Sequence, residues 1–276
     1  MTKLAFLGPA GTWSETVALI YQELHPESDW QLCPHTTIPQ VLKSVAIGEC
    51  SLAIVPVENS VEGSVTTTLD GMWQWEELQI HQAIILPIRH ALISCATTIQ
   101  NVQVVYSHRQ ALSQCEQWLE QHLAHAHRIA THSTTDMLPQ VQQDAKVAVI
   151  ASPRAASLHN LPVLACPIND YGDNCTCFWV LAREPSPHPG KKTSLAFSVL
   201  DRPGSLVAAL ELFALQGINL SRIESRPSKR GLGEYIFFVD VEASLQDRGM
   251  QITLKALQKI TETLKVFGSY DIIQVQ

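Results

Sequence analysis

Residues 52–65 of this chain read Leu-Ala-Ile-Val-Pro-Val-Glu-Asn-Ser-Val-Glu-Gly-Ser-Val. The apolar run at 52–57 predicts a buried β-strand. Polar side chains follow at once, beginning with Glu58, Asn59 and Ser60. In open α/β proteins, small ligands bind at loops that leave the carboxyl ends of strands. This segment therefore predicts an α/β fold and a ligand-binding loop within it.

A second loop of the same kind follows a predicted strand at 4–7. Residues 8–14 read Gly-Pro-Ala-Gly-Thr-Trp-Ser, and Thr12 or Ser14 is the expected N-cap of a helix that ends near Leu24. Helix N-termini and free backbone N–H groups attract anions. Together, the two loops predict a site for a small polar anion.

Strands alternate with helices along the first two thirds of the chain, and this alternation is typical of parallel sheets. Further strands are predicted at 79–86, 91–95, 102–106, 147–150 and 174–181, and helices at 37–47, 110–122 and 133–143.

The pattern changes after residues 183–192, which contain three prolines, lack apolar periodicity and predict a linker. The order that follows is βαββαβ, which is a ferredoxin-like unit. We expect a first domain at 1–184, a linker at 185–192 and a second domain at 193–276. The predicted elements of the second domain are strands at 193–200, 218–224, 234–241 and 266–273, with helices at 205–216 and 253–263.

Composition narrows the class of protein. The 276 residues are 46% apolar and 16% charged, as in ordinary soluble proteins, and the net charge of −7 argues against a nucleic-acid partner. No apolar run approaches the ~18 residues of a membrane span. The seven cysteines are odd in number and irregularly spaced, which favours a reducing, cytoplasmic location. The N-terminal apolar run is too short for a signal peptide.

Four motifs, in order, resemble the prephenate dehydratase family. They are residues 8–14 (GPAGTWS), 56–63 (PVENSVEG), 107–115 (SHRQALSQC) and 174–178 (NCTCF). The C-terminal unit resembles the ACT regulatory domain of that family through residues 204–207 (GSLV) and 224–227 (ESRP).

The resemblance implies that prephenate loses water and carbon dioxide to give phenylpyruvate, without a cofactor or a metal. Because the ring becomes aromatic, the driving force lies in the substrate, and oriented donors with a proton source suffice. Thr176 matches the family threonine that assists the departing hydroxyl. The implied catalytic residues are Thr176, Asn59, Ser60 and Glu58. The implied substrate-binding residues are Gly11, Thr12, Ser14, Gly63, Ser107, His108, Gln110 and Phe178.

The resemblance also implies the architecture and the partners. The catalytic domain is expected to form two α/β lobes, 1–86 with 170–184 and 88–168, around a cleft, as in two-lobed binding proteins. Phenylalanine is the expected effector, with tyrosine as a second candidate, and paired ACT domains predict a homodimer or homotetramer. The implied effector-binding residues are Gly204, Ser205, Leu206, Val207, Asn219, Leu220, Glu224, Ser225, Arg226 and Pro227.

One motif departs from the family, which usually has arginine where this chain has Cys177. A cysteine cannot replace the planar fork of donors that suits a carboxylate. Three interpretations stay open: another cation is recruited, namely Arg89, Arg109 or Arg154; backbone N–H groups and hydroxyls suffice; or the activity is altered. Arg109 itself stands where the family usually has proline.

Two alternative functions follow. Residues 1–183 carry 8 Lys and Arg against 16 Asp and Glu, a net charge of −8. An aminated substrate is therefore reasonable, and the first alternative is arogenate dehydratase. The second is a catalytically impaired phenylalanine-binding regulator. The Cys-x-Cys at 175–177 could suggest a metal, but no second ligand pair is nearby in the sequence. The histidines at 122, 125 and 127 lie near a predicted helix end beside Glu120 and Gln121 and are expected to form a solvated face, so no metal site is expected.

Overall fold

The computed structural model describes residues 1–131, 133, 135, 137–188, 190–231 and 233–275. The strands are β1 Thr2–Leu7, β2 Trp30–His35, β3 Leu52–Asn59, β4 Gly63–Ser64, β5 Gln79–Pro87, β6 Ala91–Ile93, β7 Val104–His108, β8 His127–Thr131, β9 Val147–Ala151, β10 Val163–Ala165, β11 Cys175–Ala182, β12 Lys192–Ser198, β13 Leu220–Pro227, β14 Tyr235–Val241 and β15 Thr263–Gln274. The helices are α1 Trp13–Leu24, α2 Ile38–Ala46, α3 Thr66–Gln74, α4 Arg109–Ser113, α5 Glu116–Leu123, α6 Leu138–Gln143, α7 Pro153–Leu158, α8 Ser205–Leu215 and α9 Arg248–Ile260.

The mixed α/β class is confirmed, but several elements differ from the prediction. Strands β2 and β8 were not predicted, because both lie at sheet edges and carry few buried residues. The predicted helix at 110–122 is two helices, α4 and α5, separated by residues 114–115. The predicted helix at 133–143 begins only at Leu138; residues 132, 134 and 136 of this region lie outside the described residues.

Two sheets form the first two thirds of the chain. In the first, β1 pairs in parallel with β2 and β3, and β11 lies antiparallel between β3 and β5. In the second, the order is β10-β6-β9-β7-β8. Apolar clusters cover both faces of each sheet, and α1 and α2 pack on opposite faces of the first.

The chain passes between the two sheets twice, at residues 88–90 and again at 166–174. The two crossings are hydrogen-bonded to each other. Ile88 N donates to Asn174 O at 2.8 Å, and the side chain of Asn169 bonds both Ile88 O (2.9 Å) and His90 N (2.7 Å). The structure therefore has two sheet lobes joined by a narrow double connection.

The C-terminal unit has the βαββαβ order that the sequence predicted, with strands in the order β13-β14-β12-β15 and helices α8 and α9. Its last strand, β15, is long enough to pair with strands of both units. The first part of β15 pairs with β12, and Asp271–Gln274 pairs in parallel with β5 of the first lobe. The two units also share one apolar core, in which Trp179 packs near Phe238, Phe267 and Tyr270. No helix of the described ranges is long and apolar enough to cross a membrane.

A buried ion pair lies at this junction. Arg222 Nε on β13 is 3.0 Å from Asp240 Oδ2 on β14, and both side chains are less than 10% exposed. The guanidinium also lies over the ring of Trp179, 5.4 Å from its centroid. Ser194 Oγ donates to Asp240 Oδ1 at 2.5 Å. Removing one partner of such a pair leaves an uncompensated buried charge, which is strongly destabilising.

We expect Asp240→Asn to lower the free energy of unfolding by about 3–5 kcal/mol, because the Arg222 guanidinium stays buried without its counterion. Urea denaturation followed by circular dichroism measures this change. The exposed Glu262 supplies the control, since Glu262→Gln removes a carboxylate from the same domain at the surface. Equal stability of the two variants would contradict the expectation.

Candidate active site

Two adjoining cavities lie between the lobes. The larger has a volume of about 980 Å³ and is lined from the first lobe by Thr12 and Thr176 and from the second by His108. The smaller has a volume of about 840 Å³ and is lined by Gly63 and Arg109. Asn59, His108 and Gln110 line both cavities. The cavities are therefore parts of one cleft.

The side chain of Thr12, the N-cap of α1, fixes the conformation of the loop at 8–14, which lines the cleft. Thr12 Oγ1 accepts from Glu15 N (3.3 Å) and lies 2.9 Å from the carbonyl of Pro9, to which it donates. Gly11 has φ of +85°, a left-handed conformation that favours glycine. This arrangement directs the first turn of α1 at the cleft.

Backbone N–H groups fix which end of the Asn59 side-chain amide faces β11. Its Oδ1 accepts from the backbone N–H groups of Val61 and Glu62, each at 3.0 Å. Its Nδ2 therefore faces β11, 3.0 Å from Thr176 Oγ1 and 2.8 Å from Asn174 Oδ1. Since an amide nitrogen only donates, Thr176 Oγ1 is the acceptor in this contact. The hydroxyl proton of Thr176 is then available for another acceptor in the cavity.

Gln114 and His90 line the larger cavity but were not among the predicted site residues. Gln114 Oε1 accepts from Asn174 Nδ2 (2.8 Å) and lies 3.0 Å from His90 Nε2. Burial lowers the pKa of His90, although the hydrogen bond with Gln114 acts in the opposite direction. Gln114 lies inside the motif at 107–115, so that motif could have indicated it. His90 lies in no recognised motif.

Seven of the twelve residues implied for catalysis and substrate binding line the larger cavity: Thr12, Ser14, Asn59, His108, Gln110, Thr176 and Phe178. Gly63 lines the smaller one. These eight residues come from both lobes and from segments far apart in the sequence. Their proximity does not establish their roles, which stay predictions.

Four of the implied residues line neither cavity: Gly11, Glu58, Ser60 and Ser107. Gly11 O accepts a 2.7 Å hydrogen bond from Ser152 of the second lobe. Ser60 Oγ accepts from Cys175 N at 3.0 Å and so fixes the start of β11. Ser107 is fully buried and its Oγ donates to a backbone carbonyl of β9 at 2.6 Å. In the described structure these three residues hold the walls of the cleft.

Cys177 faces away from the cleft. Neighbouring residues of a strand point to opposite faces, and Thr176 occupies the cleft face of β11. Cys177 packs against the core shared with the C-terminal unit, and burial, together with nearby Asp240, raises the pKa of its thiol to about 12. Glu58 lies beside it in register, and Arg222 is also near. An arginine at position 177 would therefore extend towards Asp240.

The three candidate cations occupy different places. Arg109 lines the smaller cavity, and it is the only Arg or Lys among the described residues that line either cavity. Arg154 Nε lies 3.4 Å from Glu15 Oε2 and so joins the lobes. Arg89 is exposed beside the first crossing. Of the three, the geometry favours Arg109 as a partner for an anion in the cleft.

The side chains suspected of metal binding are engaged in other ways. His122 Nδ1 lies 2.9 Å from Trp118 O, and His125 Nε2 lies 3.0 Å from Val102 O. Throughout the described ranges there is no group of three His, Cys, Asp or Glu residues that could hold a metal ion.

The residues implied for effector binding lie on two exposed segments of the C-terminal unit. Gly204 is the N-cap of α8 with φ of +85°, and residues 205–207 form its first turn. Asn219 and Leu220 lead into β13, the edge strand that carries residues 224–227. Asn219 Nδ2 donates to Glu242 Oε2 at 2.9 Å.

Arg226 reaches the first lobe. Its guanidinium makes two hydrogen bonds to the carboxylate of Asp70 on α3, at 3.2 and 3.3 Å. Lys229 Nζ lies 2.7 Å from the same carboxylate. Partial burial alone would raise the pKa of Asp70, but the hydrogen bonds from Arg226 and Lys229 outweigh it and lower that pKa.

A two-lobed α/β unit with an inter-lobe cleft, followed by a βαββαβ unit, defines a two-lobed small-molecule-binding protein with an attached ferredoxin-like unit. Residues 4–186 match the family described as Prephenate dehydratase, and residues 193–259 match the family described as ACT domain. The chain belongs to the prephenate dehydratase family. The predicted family, the hydro-lyase class and the ACT domain are thereby confirmed.

Individual relatives agree with this assignment. The chain is 40% identical over 269 residues to a "Bifunctional chorismate mutase/prephenate dehydratase" of Aquifex aeolicus, covering 97% of this chain and 73% of that protein. It is 34% identical to a "Prephenate dehydratase" of Amycolatopsis methanolica, covering 98% and 88%. Among solved structures, the Arthrobacter aurescens prephenate dehydratase in complex with L-Phe superposes with a TM-score of 0.88 at 33% identity, covering 98% and 90%.

Restoring the family arginine tests the orientation of residue 177. We expect Cys177→Arg to lower the free energy of unfolding, because a second guanidinium enters the buried site of Arg222 and Asp240. The KM for prephenate should stay unchanged, because the new side chain does not enter the cleft. The exposed Cys95 provides a control through Cys95→Arg. A clear fall in KM without loss of stability would contradict this geometry.

Proposed function

We propose that this chain converts prephenate into phenylpyruvate, water and carbon dioxide in the inter-lobe cleft, and that Thr176 protonates the departing hydroxyl. The observation that supports this most directly is the 3.0 Å contact in which Asn59 Nδ2 donates to Thr176 Oγ1. That contact leaves the Thr176 proton for the substrate. Thr176 is also only 9% exposed. A hydroxyl donor needs such a poorly solvated position, because it is a weak acid in water.

The reaction balances with one proton taken from solvent and no other reagent. The bond between the ring and its carboxylate breaks, and its electron pair enters the ring while the opposite C–O bond breaks. The departing hydroxide takes the Thr176 proton and leaves as water, and carbon dioxide leaves from the other end of the ring. Solvent then returns a proton to the Thr176 oxygen, which Asn59 Nδ2 stabilises in the meantime. The protein supplies orientation and hydrogen bonds, while aromatisation supplies the driving force.

Prephenate carries two carboxylates, and the cleft offers a partner for each. The first turn of α1, with the hydroxyls of Thr12 and Ser14, lines one side of the larger cavity. Helix N-termini favour negative charge. Arg109 and His108 line the other side, on the second lobe. We assign one carboxylate to each side, so that closure of the lobes holds the ring against Thr176.

Replacing the hydroxyl of Thr176 tests the assignment. We expect Thr176→Val to lower kcat by about 100-fold or more, within the range of general acid catalysis, with little change in KM. Thr176→Ser keeps a hydroxyl at the same place and should retain much of the activity. The exposed Thr97 provides a control, Thr97→Val. Phenylpyruvate absorbance after addition of prephenate is the measurement. Full turnover by Thr176→Val would overturn the assignment.

The same assay separates the alternative functions. Arogenate carries an ammonium where prephenate carries a keto group, and Glu62 lines the smaller cavity beside the single arginine. A higher kcat/KM for arogenate than for prephenate would favour arogenate dehydratase. Purified protein that binds phenylalanine but turns over neither substrate would be a regulator without catalysis.

Regulation by phenylalanine forms the second half of the proposal, with the effector bound at residues 204–207 and 224–227. The Arthrobacter aurescens relative was solved with L-Phe, which supports an amino-acid effector for this chain.

The C-terminal unit also offers a surface for a second copy of the chain. Strand β13 is an unpaired edge, and Val207 (67% exposed) and Leu215 (71%) of α8 are apolar. We propose that the chain assembles as a homodimer or homotetramer through this surface.

The contact between Arg226 and Asp70 connects the effector site to the cleft. Asp70 lies on α3, and Thr66 and Thr67 at the start of the same helix line the smaller cavity. Binding of phenylalanine beside Arg226 would therefore change the position of a cleft wall. The effect on activity is limited by the differential affinity of phenylalanine for the two arrangements.

Asp70→Asn should weaken this coupling. We expect the variant to retain activity without effector and to bind phenylalanine, while the change in activity on adding phenylalanine falls several-fold, because coupling energies are about 1–3 kcal/mol. Activity titrations and calorimetry measure the two properties. Glu49→Gln is the control, since Glu49 is an exposed carboxylate of the same lobe that lies outside α3. An undiminished response in Asp70→Asn would contradict the proposed route.

A further inference from the structure

His90 lies at the first crossing between the lobes and touches both of them. Its ring stands edge-on to Trp13 of the first lobe, with the centroids 6.0 Å apart. Its Nε2 is 3.0 Å from Gln114 Oε1 of the second lobe. The residue is 4% exposed and lines the larger cavity. It is therefore a buried polar side chain in direct contact with the site.

The state of His90 follows from a chain of contacts that begins at the backbone. The N–H groups of Val61 and Glu62 fix the amide of Asn59, so its Nδ2 donates to Asn174 Oδ1. Asn174 Nδ2 is then the donor to Gln114 Oε1.

Because that Gln114 oxygen only accepts, the His90 nitrogen facing it must carry a proton. The ring is thus the Nε2–H tautomer. Gln114 Nε2, at the other end of the amide, lies 3.4 Å from Asn59 Oδ1 and from Glu62 Oε1.

The other ring nitrogen of His90, Nδ1, makes no hydrogen bond within the described part of the chain. This nitrogen is also buried. An unsatisfied buried acceptor is unfavourable, so an apolar ring would fill this space with less loss of stability. The donor on Nε2 is the property that a histidine offers here and phenylalanine does not.

We propose that His90 is a positioning residue for the dehydration: its Nε2–H donates to Gln114 Oε1 and so holds the Gln114 amide in place against Asn59, whose own direction the backbone fixes. With two donors on its oxygen, Gln114 keeps its amide nitrogen on the side of Asn59. Asn59 in turn donates to Thr176, whose proton stays available. In this proposal His90 acts through Gln114 and not on the reacting atoms. The inference rests on the proposed function and adds a residue that acts through Gln114.

The test compares two replacements of His90. His90→Phe keeps a ring without a donor, and we expect kcat for prephenate to fall about tenfold, the size of effect of one lost hydrogen bond, with KM unchanged. His90→Gln places an amide N–H near the position of Nε2 and should recover most of the loss. His90→Asn, which is too short to reach Gln114, should not. Thermal unfolding checks that each variant is folded, and if His90→Phe is not, the contrast between Gln and Asn decides.

A double variant distinguishes a role of His90 through Gln114 from a role in packing alone. If His90 acts through Gln114, the kcat of His90→Phe/Gln114→Leu should match that of Gln114→Leu alone, because effects in one network are not additive. Multiplied losses, or wild-type kcat in folded His90→Phe, would overturn the inference. Failure of the wild-type protein to turn over prephenate would instead overturn the proposed function.

Discussion

The hydrogen bonds of one amide, Asn59, fix the side of the cleft at which Thr176 lies. Two backbone N–H groups fix its oxygen, so its nitrogen must face β11. The contact joins β3 and β11, whose residues Asn59 and Thr176 are 117 positions apart in the sequence, and it orients Thr176. A threonine hydroxyl has no acidity of its own to offer near neutral pH. The proposed role of Thr176 as a proton donor therefore depends on its contact with an amide nitrogen, which can only donate to it.

The C-terminal unit is part of the same physical body as the first lobe. Trp179 of β11 packs in a core that contains Phe238 and Tyr270 of the other unit, and the Arg222–Asp240 pair lies directly behind it. The strand that carries Thr176 on one face therefore carries the inter-domain junction on the other. The ACT unit contacts the strand that carries Thr176, in addition to the separate contact at α3.

The sequence allowed the fold class and most of the cleft to be predicted, because loops after apolar strands and family motifs are local signals. Edge strands such as β2 lack an apolar pattern and were not predicted. Gln114 was passed over inside a recognised motif, and the contacts of His90 connect segments that are distant in sequence. The side of β11 occupied by Cys177 follows from strand alternation. That alternation shows why the missing arginine need not be compensated in the cleft.

The shared strand β15 has a consequence for how the two units can be separated. Its end, Asp271–Gln274, covers the backbone of β5, which would otherwise be the outer strand of the catalytic sheet. A fragment cut at the linker would expose a row of unsatisfied amides and carbonyls along an apolar strand, a surface prone to self-association. In this protein, the ACT unit thus also acts as a built-in shield against aggregation, and it cannot be exchanged for another module without replacing that protection.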